Sequence, residues 1–309
     1  MAPLARLLLR RALGIAILAW ATTAATFALL RVGIPNPGID AALSRQLGPG
    51  QPAVEQYFRY LEHLLHGNLG QSLVQPVSVN TILGQAIPPT LSLLVGGMVL
   101  WLAAGVLAGA VSALRPGSWT DRAVTAGVLA ALSIPSFLLA LLLLAVFAHL
   151  AQAGNLWLQP GYVGISQSPG QWLGRMILPW IAIAAGQAGV TARLTRVGIL
   201  EVLGEDYIRT ARAKGLAARR ILWFHALRAA VLPVVSSVGV GFGAILGGAA
   251  VIDEVFALGG IGQAFLVATK AGDMLVVTAT VLATVILVAL VNLIADLCYA
   301  LLDPQVRIT

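Results

Sequence analysis

MLVVTATVLATVILVALVNLIA, residues 274–295, runs for 22 residues without an Asp, Glu, Lys, Arg or His. About 20 residues of apolar helix cross a bilayer core, and a buried helix of a soluble domain rarely needs much more than half of that. Five more charge-free runs precede it: Ala12–Leu30, Thr90–Leu114, Ala123–Ala148, Met176–Ala192 and Ala229–Ile252, of 19, 25, 26, 17 and 24 residues. The chain has 309 residues, of which 59% are hydrophobic and 10% charged, and a mean hydropathy of +0.90. These numbers predict an all-α membrane protein, a single domain of six transmembrane helices. The expected spans are residues 12–31, 90–114, 123–150, 176–193, 231–252 and 274–300.

One cysteine, Cys298, excludes an internal disulfide and any multi-cysteine metal site. The net charge of +7 flanks the apolar runs, so it marks topology and not a nucleic-acid partner. Arg6, Arg10 and Arg11 precede a run that contains Ala19-Trp20-Ala21, the outline of a signal-peptidase site. That run continues to Leu30, longer than a signal h-region, and reads as an uncleaved first span.

Six spans place both termini on one side. With the N-terminus in the cytoplasm, fourteen of nineteen basic residues fall inside: Arg6, Arg10, Arg11, Arg115, Arg122, eight from Arg193 to Arg228, and Arg307. Arg31, Arg45, Arg59, Arg175 and Lys270 fall outside. The bias orients the chain as a multi-pass membrane protein with cytoplasmic termini. Residues 33–88 then form an extracytoplasmic loop, and residues 194–230 a cytoplasmic one.

The outer loop opens on the turn residues Ile34-Pro35-Asn36-Pro37-Gly38. Within it Val54, Tyr57, Phe58, Leu61, Leu64 and Leu65 recur at helical spacing and predict an amphipathic helix lying on the membrane or on other loops. Ser133, Pro135 and Ser136 interrupt the third run, where the proline frees a carbonyl and kinks the helix; Pro179 does the same in the fourth. Gly239, Gly243 and Gly247 recur every four residues in the fifth run and flatten one face for close approach, within the subunit or between subunits. Trp20, Trp101, Trp157, Trp172 and Trp180 read as an interfacial belt.

No G-x-x-x-x-G-K-[S/T] phosphate loop occurs, so the chain does not bind ATP by that route. The centres of all six runs lack charge, whereas an ion-coupled carrier places ionisable groups near the midplane. Asn292 and Asp296 share a helix face near the inner end of the last run, and read as a structural pairing with the basic cytoplasmic loop and not as an ion relay. Energy must then arrive through another protein.

Residues 206–220, DYIRTARAKGLAARR, hold the surface for it. Glu205 and Asp206 start a short helix and Arg212 and Lys214 end it, as the helix dipole favours. Gly215 supplies the left-handed residue that stops it, and a second helix follows to Pro233. Ala211, Ala213, Ala217 and Ala218 keep the surroundings small enough to pack in a groove.

TARAKGL (210–216) with Leu232-Pro233 resembles the EAA-type coupling loop of binding-protein-dependent ABC importer permeases. HGNLGQSL (66–73), IPPTLSL (87–93), SIPSFLLALLL (133–143), EVFALGGIG (254–262) and NLIADLCYALLDPQVR (292–307) extend the likeness to the first permease of dipeptide, oligopeptide and nickel importers. Arg209 and Thr210 stand where the general motif has Glu and Ala, and Gly259 where a proline is common. The resemblance implies a type I ABC importer fold. It also implies a homologous second permease, two cytoplasmic ATPases that carry ATP and magnesium, and an extracytoplasmic substrate-binding protein. No cofactor is implied for this chain. Asp206, Arg209, Thr210, Ala211, Arg212, Lys214, Gly215 and Leu216 would couple to an ATPase. Peptides would pass between the permeases, beside Ser133, Pro135, Ser136, Gly239, Gly243 and Gly247. Asp253, Glu254, Lys270 and Asp273 would serve the outer gate or contact the binding protein. An importer of nickel or another small solute, and an ion-coupled secondary carrier, are the alternatives. His63 and His66 lie three apart but have no third ligand near them in sequence, and are not assigned to a metal.

Overall fold

The computed structural model describes residues 3–32, 51–152 and 159–302. The Ile34–Gly38 turn, Arg45, Trp157 and Arg307 lie outside the described residues, as do the side chains of Arg6, Arg31, Ala218, Leu232, Asp296 and Cys298. Eleven helices are used below: α1 (Pro3–Val32), α2 (Ala53–Leu65), α3 (Val79–Leu114), α4 (Trp119–Ser133), α5 (Ser136–Gln152), α6 (Pro169–Leu203), α7 (Asp206–Ala213), α8 (Ala218–Ile221), α9 (Leu227–Val255), α10 (Ile261–Ala271) and α11 (Met274–Leu302). Among the described residues the only bridge between extended segments is Gln71 with Ser78.

Five helices are long and apolar enough to cross a membrane, and a sixth crossing results if α4 and α5 count as one span. That pair is more than kinked. The helix stops at Ser133 and resumes at Ser136 with a bend of 102°. The Ile134 N–H still reaches Ala130 O at 3.2 Å, but Pro135 has no N–H to continue the ladder. Pro179, by contrast, lies inside the continuous α6. Most helices overrun the predicted spans: α3 begins at Val79, eleven residues before the second charge-free run, and passes through Pro88 and Pro89.

The chain divides into two compact units, Met1–Thr90 with Leu258–Leu290, and Leu91–Ala257 with Val291–Thr309. The core of the first joins Phe27 of α1, Tyr60 of α2, Val79 and Leu83 of α3, Ala268 of α10, and Leu275, Val276 and Ala279 of α11. Burial, with Tyr57 beside it, pushes the Tyr60 phenol up to about 12. The connection from α2 to α3 is tied to this core by polar bonds. Asn80 accepts from Leu69 N–H (2.9 Å) and donates to Gly67 O (2.6 Å). The Asp273 carboxylate accepts from the Ser72 hydroxyl, from Leu73 N–H (3.2 Å) and from Val276 N–H (3.4 Å). That last bond caps the first turn of α11.

The second unit is held by helices that approach almost to backbone contact. A Cβ on Gly109 of α3 would lie 2.5 Å from Ala192 O of α6, and one on Gly105 would lie 2.6 Å from Thr191 Cβ. Gly96 makes room for the Trp180 indole, whose N–H donates to Ser92 O at 2.8 Å. Gly241 of α9 makes room for Trp101, which is 1% exposed and donates to Thr191 Oγ1 at 2.6 Å. The interfacial-belt reading is thereby corrected for Trp101 and Trp180. Both are core side chains whose N–H groups are satisfied inside the protein, because glycine opposite each leaves space for the ring. Trp20 remains exposed on α1.

Candidate functional site

The connection between α6 and α9 builds a compact hook. After Gly204, α7 runs for eight residues, too short to persist without tertiary support. Support comes from one face: Ile208 is fully buried and Ala211 nearly so, packed with Ile221, Val202, Leu203 and Leu216. The other face is open. Tyr207, Arg209, Thr210, Arg212, Ala213, Lys214, Arg219 and Arg220 are all exposed. Arg209 pairs with Asp206 at 3.2 Å, and Thr210 Oγ1 donates to Asp206 O at 3.1 Å. Three arginines and Lys214 therefore remain to face a partner.

Gly215 closes the helix. Its φ of +78° is in the left-handed region, its N–H donates to Arg212 O at 2.9 Å, and Leu216 N–H donates to Ala211 O at 3.3 Å. Those paired 5→2 and 6→1 bonds form a Schellman motif, and Leu216 packs back on the Ile208 cluster as the motif requires. Of the four alanines around the turn, Ala211 faces inward, while Ala213 and Ala217 lie on the open face.

Two features of this region have no counterpart in the sequence reading. The first is a π-helical turn, Leu222–Ala226, which links α8 to α9 and leaves Trp223 and Phe224 exposed. The second helix does not end at Pro233: α9 continues through it to Val255. The other feature is a buried pin. Asp121 at the start of α4 receives a two-pronged pairing from Arg196 of α6, Nε to Oδ1 at 2.9 Å and an Nη nitrogen to Oδ2 at 2.9 Å. The Ser112 hydroxyl of α3 donates to Oδ1, and Gly117 N–H donates to Oδ2 at 2.8 Å. Arg196 Nε also reaches Ser112 Oγ at 3.0 Å. One carboxylate thus binds three helices, seven residues before α6 ends at Leu203. Ser118 followed by Asp121 is a readable N-cap signal, but nothing in the sequence names Arg196, 75 residues away, as the partner.

The remaining candidates lie outside the hook. Ser133 bonds to Leu129 O at 2.8 Å at the α4–α5 break, Pro135 is exposed, and Ser136 Oγ would lie 3.1 Å from a Cβ on Gly248. Within the glycine stripe, a Cβ on Gly239 would meet Asn292 Oδ1 at 2.5 Å, whereas Gly243 and Gly247 have nothing within 4 Å and are exposed. One glycine of the stripe therefore serves packing and two lie on an open face. Asp253 is buried and Glu254 half-buried at the end of α9, in one unit; Lys270, exposed, and Asp273, buried in its strap, belong to the other. His66 Nδ1 lies 2.8 Å from Glu62 O. Among the described residues no group of three or more His, Cys, Asp or Glu is placed to hold a metal.

Residues 105–308, which contain the pin, the hook and the last four long helices, match the family described as binding-protein-dependent transport system inner membrane component. The chain belongs to that family. It is 33% identical over 315 residues, 99% of both chains, to the dipeptide transport system permease protein DppB of Bacillus subtilis (strain 168). It is 37% identical over 263 residues, 85% of this chain and 82% of the relative, to a putative peptide transport system permease protein of Brucella abortus (strain 2308). The glutathione transport system permease protein GsiC of Escherichia coli O6:H1 is 34% identical over 89% of this chain and 87% of its own. The fold is similar to a chain of the MetNI methionine ABC transporter solved in inward-facing conformations, with a TM-score of 0.54 over 72% of this chain and 97% of that one, at 22% identity. This is a type I ABC importer fold, and the protein is a multi-pass membrane permease component. Such a component works with ATPase subunits and a binding protein. The ion-coupled carrier reading falls away.

Proposed function

We propose that this chain forms half of a peptide-conducting pathway in an ATP-driven importer, paired with a homologous second permease. Peptides reach it from an extracytoplasmic binding protein, and two cytoplasmic ATPases drive it. The carrying observation is the hook: a left-handed Gly215 turn presents Arg212, Lys214, Arg219 and Arg220 outward while Ile208 and Ala211 fasten it to the body. A cleft on an ATPase with an acidic rim would accept that face, and motion of the cleft would be handed to α6 and α9 on either side of the hook. Peptide as substrate is supported by the substrates for which the relatives are named: dipeptides, peptides and glutathione. A cytoplasmic side for both termini and the hook is supported by the basic bias. ATP and magnesium belong to the ATPase subunits; this chain holds no cofactor.

The test is purification of the tagged chain in mild detergent, with mass spectrometry of the co-purifying subunits and of the ligand retained by the binding protein. Two ATPases, a second permease and a bound peptide are expected. Recovery of the chain without an ATPase sinks the coupling role, and a bound nickel complex or non-peptide solute sinks the substrate.

A further inference from the structure

Helix α2 carries more apolar surface than its own core uses. Tyr57, Tyr60 and Leu64 turn into the first unit's core, and Gln56 is buried with them. A separate stripe, Val54, Phe58, Leu61 and Leu65, runs along the helix at steps of four, three and four residues. Val54, Phe58 and Leu65 are 67%, 63% and 85% exposed. Glu55, Arg59, Glu62 and His66 form a third exposed stripe, with Glu55 and Arg59 paired at 3.8 Å. At about 100° per residue the three sectors are centred roughly 100–145° apart, so the helix meets three different environments. One is this protein, and the charged one is water.

The depth of α2 identifies the third. The Tyr57 hydroxyl lies 3.1 Å from Thr23 Oγ1, and Tyr57 and Tyr60 pack on Phe27 at 5.3 and 6.1 Å between ring centroids. Thr23 and Phe27 come seven and three residues before Leu30, the end of the first apolar run, which places them about 10 and 5 Å inside that end at 1.5 Å per residue. The same core includes Leu275 and Ala279, within the first six residues of the last apolar run. Helices that lie in a membrane interface bury their apolar face by roughly 5–10 Å, the same depth. We propose that the Val54–Phe58–Leu61–Leu65 stripe docks on lipid, seated among the acyl chains of the leaflet at the C-terminal end of α1. It anchors the α2–α3 connection laterally and leaves the charged stripe in water. The inference rests on the chain spanning a membrane and not on what it transports.

The experiment uses the assembled transporter in nanodiscs of phosphatidylethanolamine and phosphatidylglycerol, with Cys298→Ser as background. Nitroxide labels are placed singly at V54C, F58C and L65C, and at E55C, R59C and E62C, all exposed positions whose substitution leaves the core intact. Collision rates with oxygen, which concentrates in lipid, and with a water-soluble nickel chelate are then compared. Oxygen is expected to dominate at 54, 58 and 65 and the nickel chelate at 55, 59 and 62. Equal nickel access at both sets overturns the proposal. So does nickel access at 54, 58 and 65 that disappears only when the binding protein is added, which would assign the stripe to that protein. Shielding of those three from both probes in the nanodisc would assign it to another subunit, and also overturns it.

Discussion

Gly215 should be favoured for a conformational reason and not for want of space. Its φ is +78°, yet a Cβ built there has nothing within 4 Å. An L-residue in the left-handed region costs about 1–2 kcal/mol, and loss of glycine's extra freedom in the unfolded chain returns about 0.5–1 kcal/mol. Gly215→Ala should therefore loosen the end of α7 by about 1 kcal/mol, roughly fivefold in the local opening equilibrium. The assay is amide hydrogen exchange across 206–221 in the purified complex, beside ATPase co-purification and peptide uptake. Asn, which tolerates the left-handed region, should lie between Gly and Ala, and Val should be worse than either. Gly215→Glu costs about as much locally as Ala. It also sets a carboxylate between Lys214 and the arginines, so it should lose more ATPase than Ala does while inserting normally in the membrane. A Gly215→Val chain with unchanged exchange and full uptake would refute both the turn's role and the coupling reading.

Three further outcomes follow from the same geometry. Asp121→Asn keeps the shape but removes the charge facing Arg196, so uptake per ATP hydrolysed should fall while subunits still co-purify; Arg196→Lys should mimic it, because an ammonium cannot make the two-pronged contact, and normal coupling ratios in both variants would dismiss the pin. Gly109→Ala drives a methyl against Ala192 O, which cannot yield as a flexible side chain would; a loss of about 1–3 kcal/mol should appear as a lower midpoint in thermal unfolding in detergent, with Gly243→Ala unchanged as the control. Asp273→Ala should free Ser72 and Leu73 and uncap α11, seen as faster proteolysis between residues 66 and 78 with no change in membrane insertion.

What could be read in advance divides by range. The apolar runs give the crossings, because span length is set by bilayer thickness and not by tertiary context. The Gly215 turn was legible for a similar reason: a Schellman cap is completed within six residues, Ala211 to Leu216, so its chemistry lies in one short segment. Helix ends were less legible. Val79 begins α3 inside what reads as loop because Asn80 and the strap at Asp273 hold it, and those contacts come from 13 and some 200 residues away. The tryptophans misled because end-of-span position and burial opposite glycine give the same sequence mark. Only the partner glycine distinguishes them, and Gly241 is 140 residues from Trp101.

The pin and the turn acquire a joint meaning from their positions on α6. Arg196 clamps that helix to α3 and α4, and seven residues later α6 ends at the hook. Two helical turns without glycine or proline, apart from Gly198 packed on Ala230, leave little length in which a push could dissipate. Displacement of α7 must then move α6, α3 and α4 together or break the Asp121–Arg196 pairing. The first alternative makes the second unit move as a body; the second makes the pin a release that opens once per cycle. A covalent link across the pin separates them. Ser112→Cys with Arg196→Cys, in a Cys298→Ser background and bridged by a short bifunctional thiol reagent that restores the arginine's reach, should leave uptake intact in the rigid case and abolish it if the pin must open.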